Sequence, residues 1–327
     1  MPAMNLVQAI TSALDYKLAD DPKVLVFGED AGLEGGVFRV TQGLQSKYGE
    51  RRVFDTPLSE SVIMGAGLGM AVAGLRPVLE IQFCGFIYPA MNQLVTHVAR
   101  MRNRTRGVFT VPLTVRLPYG GGIQALELHS ESMEAMLAHV PGLQVVIPST
   151  PYDAKGLLIS AIESEDPVLF LEPKKVYRAF RQEVPEEPYR IPLGKASVVQ
   201  AGTRITLVAY GAMMRVARQA VELAAKEGIS VELVDLRSIY PLDSETLLDS
   251  VRKTGRLAVL HEGPTSFGVA AEIIARVNEE ALYWLEAPPR RITGFDTIMP
   301  LPMGEHHYMP TPERVLYELI QLHNTAE

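Results

Sequence analysis

The chain alternates short apolar runs with longer segments in which apolar residues recur every three or four positions. Such runs are typical of buried strands, and the wider spacing is typical of amphipathic helices. In the first half this pattern predicts strands at 24–27, 52–54, 78–83, 113–117, 145–147 and 168–171, and helices at 4–20, after Glu60, at 88–104 and at 151–163. In the second half it predicts strands at 205–209, 231–235 and 257–260, and helices at 214–227, 243–253 and 268–277. The alternation predicts an α/β fold of parallel sheets covered by helices.

The segment between the two series interrupts this alternation. Residues 172–200 contain prolines at 173, 185, 188 and 192, many charged residues and little periodicity. Such a composition predicts an interdomain linker that lies on the surface. We therefore divide the 327 residues into a first domain at 1–175, a linker at 176–200 and a second domain at 201–327.

Composition restricts the kinds of protein that this chain can be. Hydrophobic residues make up 47% of it, which is too many for a disordered protein. The net charge of -7 argues against nucleic acid or an anionic membrane surface as the main partner. No apolar run approaches the roughly 20 residues of a membrane span. Cys84 is the only cysteine, so an intramolecular disulfide is excluded and a reducing compartment fits.

Several common sites are disfavoured by motif and spacing. The sequence has no Gly-x-x-x-x-Gly-Lys-Ser/Thr phosphate loop and no serine nucleophile elbow. Gly65, Gly67 and Gly69 do not have the spacing of a dinucleotide fingerprint and fall within a predicted helix. The histidines at 306–307 have no third ligand at a metal-binding spacing. Four arginines between 100 and 106 would scatter around a helix, which favours a solvated or interface face over an anion site.

Glu60 is the first candidate for chemistry. It ends the segment Asp55–Glu60, which leads from a predicted strand through a proline turn into a helix rich in small residues. An acid in the first turn of a helix is stabilised by about 0.3–1 kcal/mol, so Glu60 alone has an ordinary explanation. The three glycines that follow each cost roughly 1 kcal/mol relative to alanine. Close packing against another chain or domain would offset that cost and would place Glu60 at a tight interface.

His129 and Phe86 are two further candidates. His129 follows the glycine loop at 120–122, beyond the end of a predicted strand, where α/β proteins bind ligands. Its near-neutral pKa suits proton transfer, although an ordinary loop histidine would look the same. Phe86 follows the strand at 78–83 and could stack on a flat heterocycle or belong to the core.

Together these motifs resemble the beta subunits of the heterotetrameric thiamine-diphosphate 2-oxo acid dehydrogenases. These subunits belong to the decarboxylating components of the pyruvate and branched-chain 2-oxo acid dehydrogenase complexes. The resemblance covers nearly the whole chain and rests on segments that include 27–30, 35–38, 55–60, 80–83, 129–130, 148–158, 234–237 and 253–256. It implies a pyrimidine-binding first domain and a second domain like the C-terminal domain of transketolase.

The resemblance also implies roles for individual residues. Glu60 matches the glutamate that hydrogen-bonds N1′ of the cofactor pyrimidine, and Phe86 matches the aromatic residue that packs on that ring. Leu58 and Glu29 match other positions at the cofactor. His129 matches the active-site histidine near the substrate and the lipoyl group that carries the acyl product.

Family members hold the cofactor diphosphate through Mg²⁺ with a Gly-Asp-Gly motif, and this sequence contains no Gly-Asp-Gly. The resemblance therefore implies an alpha subunit that binds the diphosphate and the metal, in an α2β2 heterotetramer that is inactive without it. It also implies a dihydrolipoyl acyltransferase core as a partner and a cytoplasmic location in a bacterium or archaeon. A non-catalytic docking subunit is the alternative, and a complete single-chain transketolase-like enzyme is disfavoured by the length and the missing motif.

In some relatives a potassium ion is bound by carbonyl groups near the matching segments. Here those segments make Leu113, Thr114, Ala161, Ser164 and Asp166 candidates for a potassium site, with Ser164 in place of an aspartate. The substrate is a 2-oxo acid. Segments 84–88 and 126–130 favour pyruvate, whereas 293–297 favours the branched-chain acids.

Overall fold

The computed structural model describes residues 1–325. Its strands are, in chain order, β1 (Ala3–Met4), β2 (Val24–Gly28), β3 (Val53–Asp55), β4 (Arg76–Glu80), β5 (Thr114–Tyr119), β6 (Gln144–Val146), β7 (Val168–Pro173), β8 (Gln182–Glu183), β9 (Ser197–Gln200), β10 (Ile205–Ala209), β11 (Val231–Asp235), β12 (Ser238–Tyr240), β13 (Leu257–Leu260) and β14 (Arg290–Ile292). Its α-helices are α1 (Leu6–Asp20), α2 (Leu44–Tyr48), α3 (Glu60–Val72), α4 (Met91–Gln93), α5 (Met101–Arg104), α6 (Glu134–Ala138), α7 (Pro151–Glu163), α8 (Met213–Lys226), α9 (Ser244–Thr254), α10 (Val269–Ala281), α11 (Glu305–Tyr308) and α12 (Pro312–Asn324). Within residues 1–325, none of the helices combines the length and apolar character that crossing a membrane requires.

Two mainly parallel sheets organise the fold. The larger one has the strand order β12-β6-β7-β5-β4-β2-β3, and the smaller one has the order β14-β13-β10-β11-β9. Only β12 and β9 run antiparallel to their neighbours in these sheets, and β1 and β8 form a separate antiparallel pair. The predicted α/β class with parallel sheets is confirmed.

Local signals in the sequence account for the helix starts that were predicted well. Asn5 caps α1, and its side chain and that of Gln8 accept hydrogen bonds from each other's backbone amides. Thr150 caps α7, and Pro151 occupies the first helical position as expected. Buried apolar faces of α1 and α7 pack on each other beside the larger sheet.

The segment predicted as helical at 88–104 is helical, but it is not one regular α-helix. The chain instead forms a 3₁₀ segment at Cys84–Ala90, the short helix α4, a π-helical turn at Leu94–Val98 and then α5. Pro89 has no amide hydrogen to donate, and the Thr96 hydroxyl donates to the carbonyl of Asn92. Both features interrupt the regular α-helical ladder of hydrogen bonds. The strand predicted at 78–83 also ends earlier, at Glu80.

The prediction that the segment after 172 lies on the surface is wrong in part. Val176, Tyr177, Val184 and Ile191 are buried in the core. Val176, Tyr177 and Ile191 belong to the apolar cluster around α1 and α7, so much of the segment is built into the fold. The domain boundaries at 175 and 201 stay a prediction.

The two halves of the chain are interlocked. Strand β12 comes from the second half, yet it completes the larger sheet by pairing with β6. Close to it, the Arg237 guanidinium lies 2.7 Å from the Asp153 carboxylate at the start of α7. The relative position of the two sheets is therefore set by main-chain pairing as well as by side-chain contacts.

The glycines of α3 have different environments. A Cβ atom at Gly67 would lie 2.8 Å from Leu79 and 2.9 Å from Leu113, so this glycine allows α3 to lie close to the larger sheet. A Cβ atom at Gly69 would have no neighbour within 4 Å, and one at Gly65 would meet only Gln93. Within residues 1–325, close packing explains Gly67 and leaves Gly69 uncovered.

We expect Gly67→Ala to destabilise the chain by about 1–3 kcal/mol, because the added methyl group overpacks the space between α3 and the sheet. Gly69→Ala is the matched control. It should stabilise the chain by up to about 1 kcal/mol, because alanine is the better helix former and nothing obstructs its side chain. Urea unfolding of the isolated chain measures both effects. Equal changes in the two variants would contradict this account of α3.

Candidate active site

Four adjacent strands of the larger sheet end at one edge, and the candidate residues follow those ends. Glu29 comes directly after β2, and Glu60 follows β3 after a short turn. Phe86 lies beyond β4, and His129 lies beyond β5 and its glycine loop. Ligands of parallel α/β sheets bind at the carboxyl ends of the strands, so this edge is the expected place for a site.

Glu60 and Glu29 form a pair of buried acids. Glu60 is the first residue of α3, where the helix dipole favours a carboxylate, and it is 9% exposed. Glu29 is 5% exposed, and one of its carboxylate oxygens has no hydrogen-bond partner within residues 1–325. Burial, together with the charges of Glu60 and Asp30, raises the pKa of Glu29 to about 7. A buried acid with an unpaired oxygen fits a ligand that donates a hydrogen bond here.

The rings of Phe83, Phe86 and His129 lie together beyond the ends of β4 and β5. The His129 imidazole lies 4.4 Å from the Phe83 ring and 4.9 Å from the Phe86 ring, measured between centroids. Its Nδ1 atom lies 2.8 Å from the carbonyl oxygen of Glu127, so Nδ1 donates and Nε2 remains available as an acceptor. Phe86 is only half-buried, so part of its ring is accessible to a flat ligand.

Gly85 allows the segment before His129 to approach the 3₁₀ segment that follows β4. A Cβ atom at this position would overlap the carbonyl group of Leu128, the residue before His129. Leu128 itself has a φ of 65°, in the left-handed region. Together, these features fix the backbone immediately before the imidazole.

Leu58 lies between β3 and α3, and its side chain is 79% exposed. It continues an exposed stripe along α3 that is made of Val62, Ala66, Gly69 and Ala73. These residues are spaced three and four apart, so they form one face of the helix. Leu58 therefore sits where the site edge meets this uncovered face.

The potassium candidates lie elsewhere, at the amino end of β5 and the end of α7. The two segments are close together, because the amide of Val168 donates to the carbonyl of Leu113 at 2.9 Å. The Arg76 guanidinium donates to the carbonyl of Ser164 at 3.1 Å, and the Ser164 hydroxyl donates to that of Asp166 at 2.9 Å. Thr114 and Ala161 are buried beside them. A guanidinium bound at Ser164 opposes a second cation at the same oxygen.

Other metal sites find no support in the described part of the chain. Residues 1–325 contain no group of three or more histidine, cysteine or acidic side chains placed to hold a metal ion. The rings of His306 and His307 are 3.7 Å apart, but they lack further ligands of this kind.

Sequence reasoning missed three residues near the site. Phe83 was assigned only to a strand, yet its ring contacts His129. Glu262 and Glu305 belong to the second half of the chain but bind the glycine loop before His129. Glu262 had a usable signal, because it lies two residues after β13, at the carboxyl end of a strand. Glu305 had none, because its contact depends on how the two halves are arranged.

Family models describe both halves of the chain. Residues 2–179 match the pyrimidine binding domain of transketolase, and residues 194–315 match the C-terminal domain of transketolase. A solved structure titled "Split gene transketolase, inactive beta4 tetramer" shares the fold, with a TM-score of 0.80 at 22% sequence identity. That similarity covers 99% of this chain and 100% of the other.

Curated relatives are similar over almost their full length. The "Pyruvate dehydrogenase E1 component subunit beta" of Acholeplasma laidlawii is 58% identical over 315 residues, covering 96% of each chain. The proteins with the same name from Bacillus subtilis (strain 168) and Mycoplasma pneumoniae are 52% and 50% identical, each covering 97% of both chains. The family that the sequence motifs indicated is thereby confirmed: the chain belongs to the family of pyruvate dehydrogenase E1 component beta subunits.

Proposed function

We propose that this chain is the beta subunit of a thiamine-diphosphate-dependent 2-oxo acid dehydrogenase and supplies one half of each active site. The complex would decarboxylate pyruvate oxidatively and transfer the acyl group to the lipoyl group of an acyltransferase core. The observation that carries the proposal is the buried pair of Glu60 and Glu29 at the start of α3, a helix that packs against the 3₁₀ segment in which Phe86 lies. The names of the relatives support pyruvate over the branched-chain 2-oxo acids.

The residues present fit the pyrimidine part of the cofactor. Glu60 would hold a proton at N1′ of the ring, Phe86 would pack on the ring face, and Leu58 and Glu29 would border it. When bound, thiamine diphosphate supplies the carbon nucleophile that attacks the 2-oxo acid. Glu60 would assist by holding a proton at N1′, because a carboxylate there stabilises the protonated ring nitrogen and would favour the imino form of the 4′-amino group.

His129 would serve the substrate side of the site. Because its Nδ1 donates to the Glu127 carbonyl, the tautomer with a free Nε2 acceptor is favoured. Nε2 could then accept or return a proton as the acyl group passes to the lipoyl sulfur. The rings of Phe83 and Phe86 limit how far the imidazole can turn.

An alpha subunit would supply the remaining half, including Mg²⁺ and the groups that bind the diphosphate. The sequence has no Gly-Asp-Gly motif, so this chain lacks the expected metal-binding segment. The exposed stripe on α3 offers a surface for such a partner, because small residues allow another backbone to come close. On α3 the stripe begins at Val62, two residues after Glu60, so a chain seated on it would also close the site in an α2β2 assembly.

Glu60→Gln, assembled with the alpha subunit, should lower turnover by roughly 10²–10⁴-fold, because glutamine cannot stabilise the proton at N1′ as a carboxylate does. Turnover is measured as acyl transfer from pyruvate to a lipoyl domain. Glu50→Gln, an exposed acid outside the site, is the control and should keep full activity. A Glu60→Gln complex that assembles and turns over normally would favour the docking-subunit alternative.

Ala66→Arg should prevent assembly with the alpha subunit while leaving the isolated chain folded, because a long charged side chain would block the stripe on α3. Ala225→Arg introduces the same side chain on the exposed face of α8 and should assemble normally. Size-exclusion chromatography with light scattering reports the assembly. Normal α2β2 formation by Ala66→Arg would remove this face from the interface.

Glu29→Gln should change how stability depends on pH. The folded-state pKa of Glu29 is raised to about 7, so the folded wild-type chain holds this proton more tightly than the unfolded chain does. The wild-type chain therefore loses stability as the pH rises towards and through that value. Glutamine does not titrate, so the variant should gain stability relative to wild type between about pH 5 and about pH 8. Urea unfolding at both pH values tests this. A difference that stays constant with pH would contradict the buried acid pair.

A further inference from the structure

The loop that leads to His129 is bordered by glycines for a steric reason. A Cβ atom at Gly120 would lie 2.7 Å from a carboxylate oxygen of Glu262, and one at Gly121 would lie 3.0 Å from a carboxylate oxygen of Glu305. Gly122 has a φ of 89° and faces the side chain of Lys175. The run of three glycines therefore allows two acids of the second half to reach the loop backbone.

Those two acids accept hydrogen bonds from the loop. The amide of Gly121 donates to Glu262 at 2.7 Å, and the amide of Gln124 donates to Glu305 at 2.7 Å. The amide of Gly122 donates to the other oxygen of Glu305. Both glutamates are buried, with exposures of 1% and 4%, so these hydrogen bonds are shielded from water.

Two lysines offset the negative charge at this place. The Lys174 ammonium is buried within the described chain without a hydrogen-bond partner, and it lies within electrostatic reach of Glu262, Glu305 and Glu131. Lys175 also lies within reach of Glu262. A buried cation close to buried acids lowers the cost of keeping the acids ionised as acceptors.

The other main-chain hydrogen bonds of the loop lie at its two ends, where Gly120 donates to Glu131 and His129 donates to Leu126. Ile123, Leu126 and Leu128 are exposed, and Gln124 has a φ of 55° in the left-handed region. The loop forms no strand or helix between Gly120 and His129. A segment with exposed side chains and few backbone bonds is expected to open easily unless it is tied down.

We propose that Glu262 and Glu305 are positioning residues that hold the 120–129 loop, and with it His129, from the second domain. We call the hydrogen bonding of the loop by Glu262 and Glu305 the clamp. Its consequence for activity rests on the proposed function of His129, whereas the clamp itself does not. The second domain would then set the geometry of the active site in addition to any docking role.

The direct test is hydrogen exchange of the full-length chain carrying Glu305→Ala. This change removes both acceptors of Gly122 and Gln124, so exchange across 121–128 should become at least about tenfold faster, with α1 and α7 unchanged. Glu279→Ala, an exposed acid on α10, is the matched control and should exchange like wild type. Glu305→Gln keeps the volume and one acceptor and should give an intermediate rate, which preserves the test if the alanine variant fails to fold.

A second measurement links the clamp to the histidine. In chain labelled with ¹⁵N-histidine, the ring nitrogen signals of His129 should shift in the Glu305 variants and stay in place in Glu279→Ala. In the assembled enzyme the Glu305 variants should lower kcat more than they raise KM. Unchanged exchange at 121–128 or unchanged His129 signals would overturn the clamp. A disturbed loop with full turnover would leave the clamp standing and would instead count against the proposed role of His129.

Discussion

The arrangement of the strand ends depends on a buried ion-pair network, in which the Arg116 guanidinium binds the carboxylates of Glu80 and Glu172. Arg116 lies on β5 and bonds Glu80 at the end of β4 at 2.6 Å and Glu172 on β7 at 2.7 Å. All three side chains are nearly inaccessible to water, so each charge needs its partners. Removing one member of such a buried set typically costs about 3–5 kcal/mol, because the remaining charge is left unpaired. The network therefore fixes the register of β4, β5 and β7, and candidate site residues follow the ends of β4 and β5.

From this edge the site is assembled by short connections. Glu29, Glu60, Phe86 and His129 each follow a strand that the network or its neighbours hold in place. The second half of the chain then contributes in two ways, through β12 in the larger sheet and through the acids that bind the glycine loop. The strand ends border this site on one side, and the exposed stripe of α3 lies next to it on another. An exposed surface beside the site is what a subunit supplying half of an active site requires.

Local pattern predicted much of this architecture. Apolar runs located the central strands, apolar periodicity located α1, and the hydroxyl cap followed by proline located the start of α7, because these features depend on neighbours in sequence. The breaks in the helical segment at 88–104 were not predicted, because hydropathy does not register the missing amide hydrogen of Pro89 or the side-chain hydrogen bond of Thr96. The buried parts of the predicted linker failed because prolines and charges mark exposure only on average.

The candidate site was predictable to a similar degree. Motifs pointed to Glu60, Phe86 and His129, but no pattern placed Glu29 against Glu60 or Glu305 against Gln124. Such pairs arise from strand order and from the packing of distant segments, which spacing along the chain does not encode. The measurement that tests the central claim most directly is a crystal structure of the assembled complex with thiamine diphosphate and Mg²⁺. We expect the pyrimidine ring to hydrogen-bond Glu60 and to lie against Phe86, and a ring bound away from Glu60 would contradict the account.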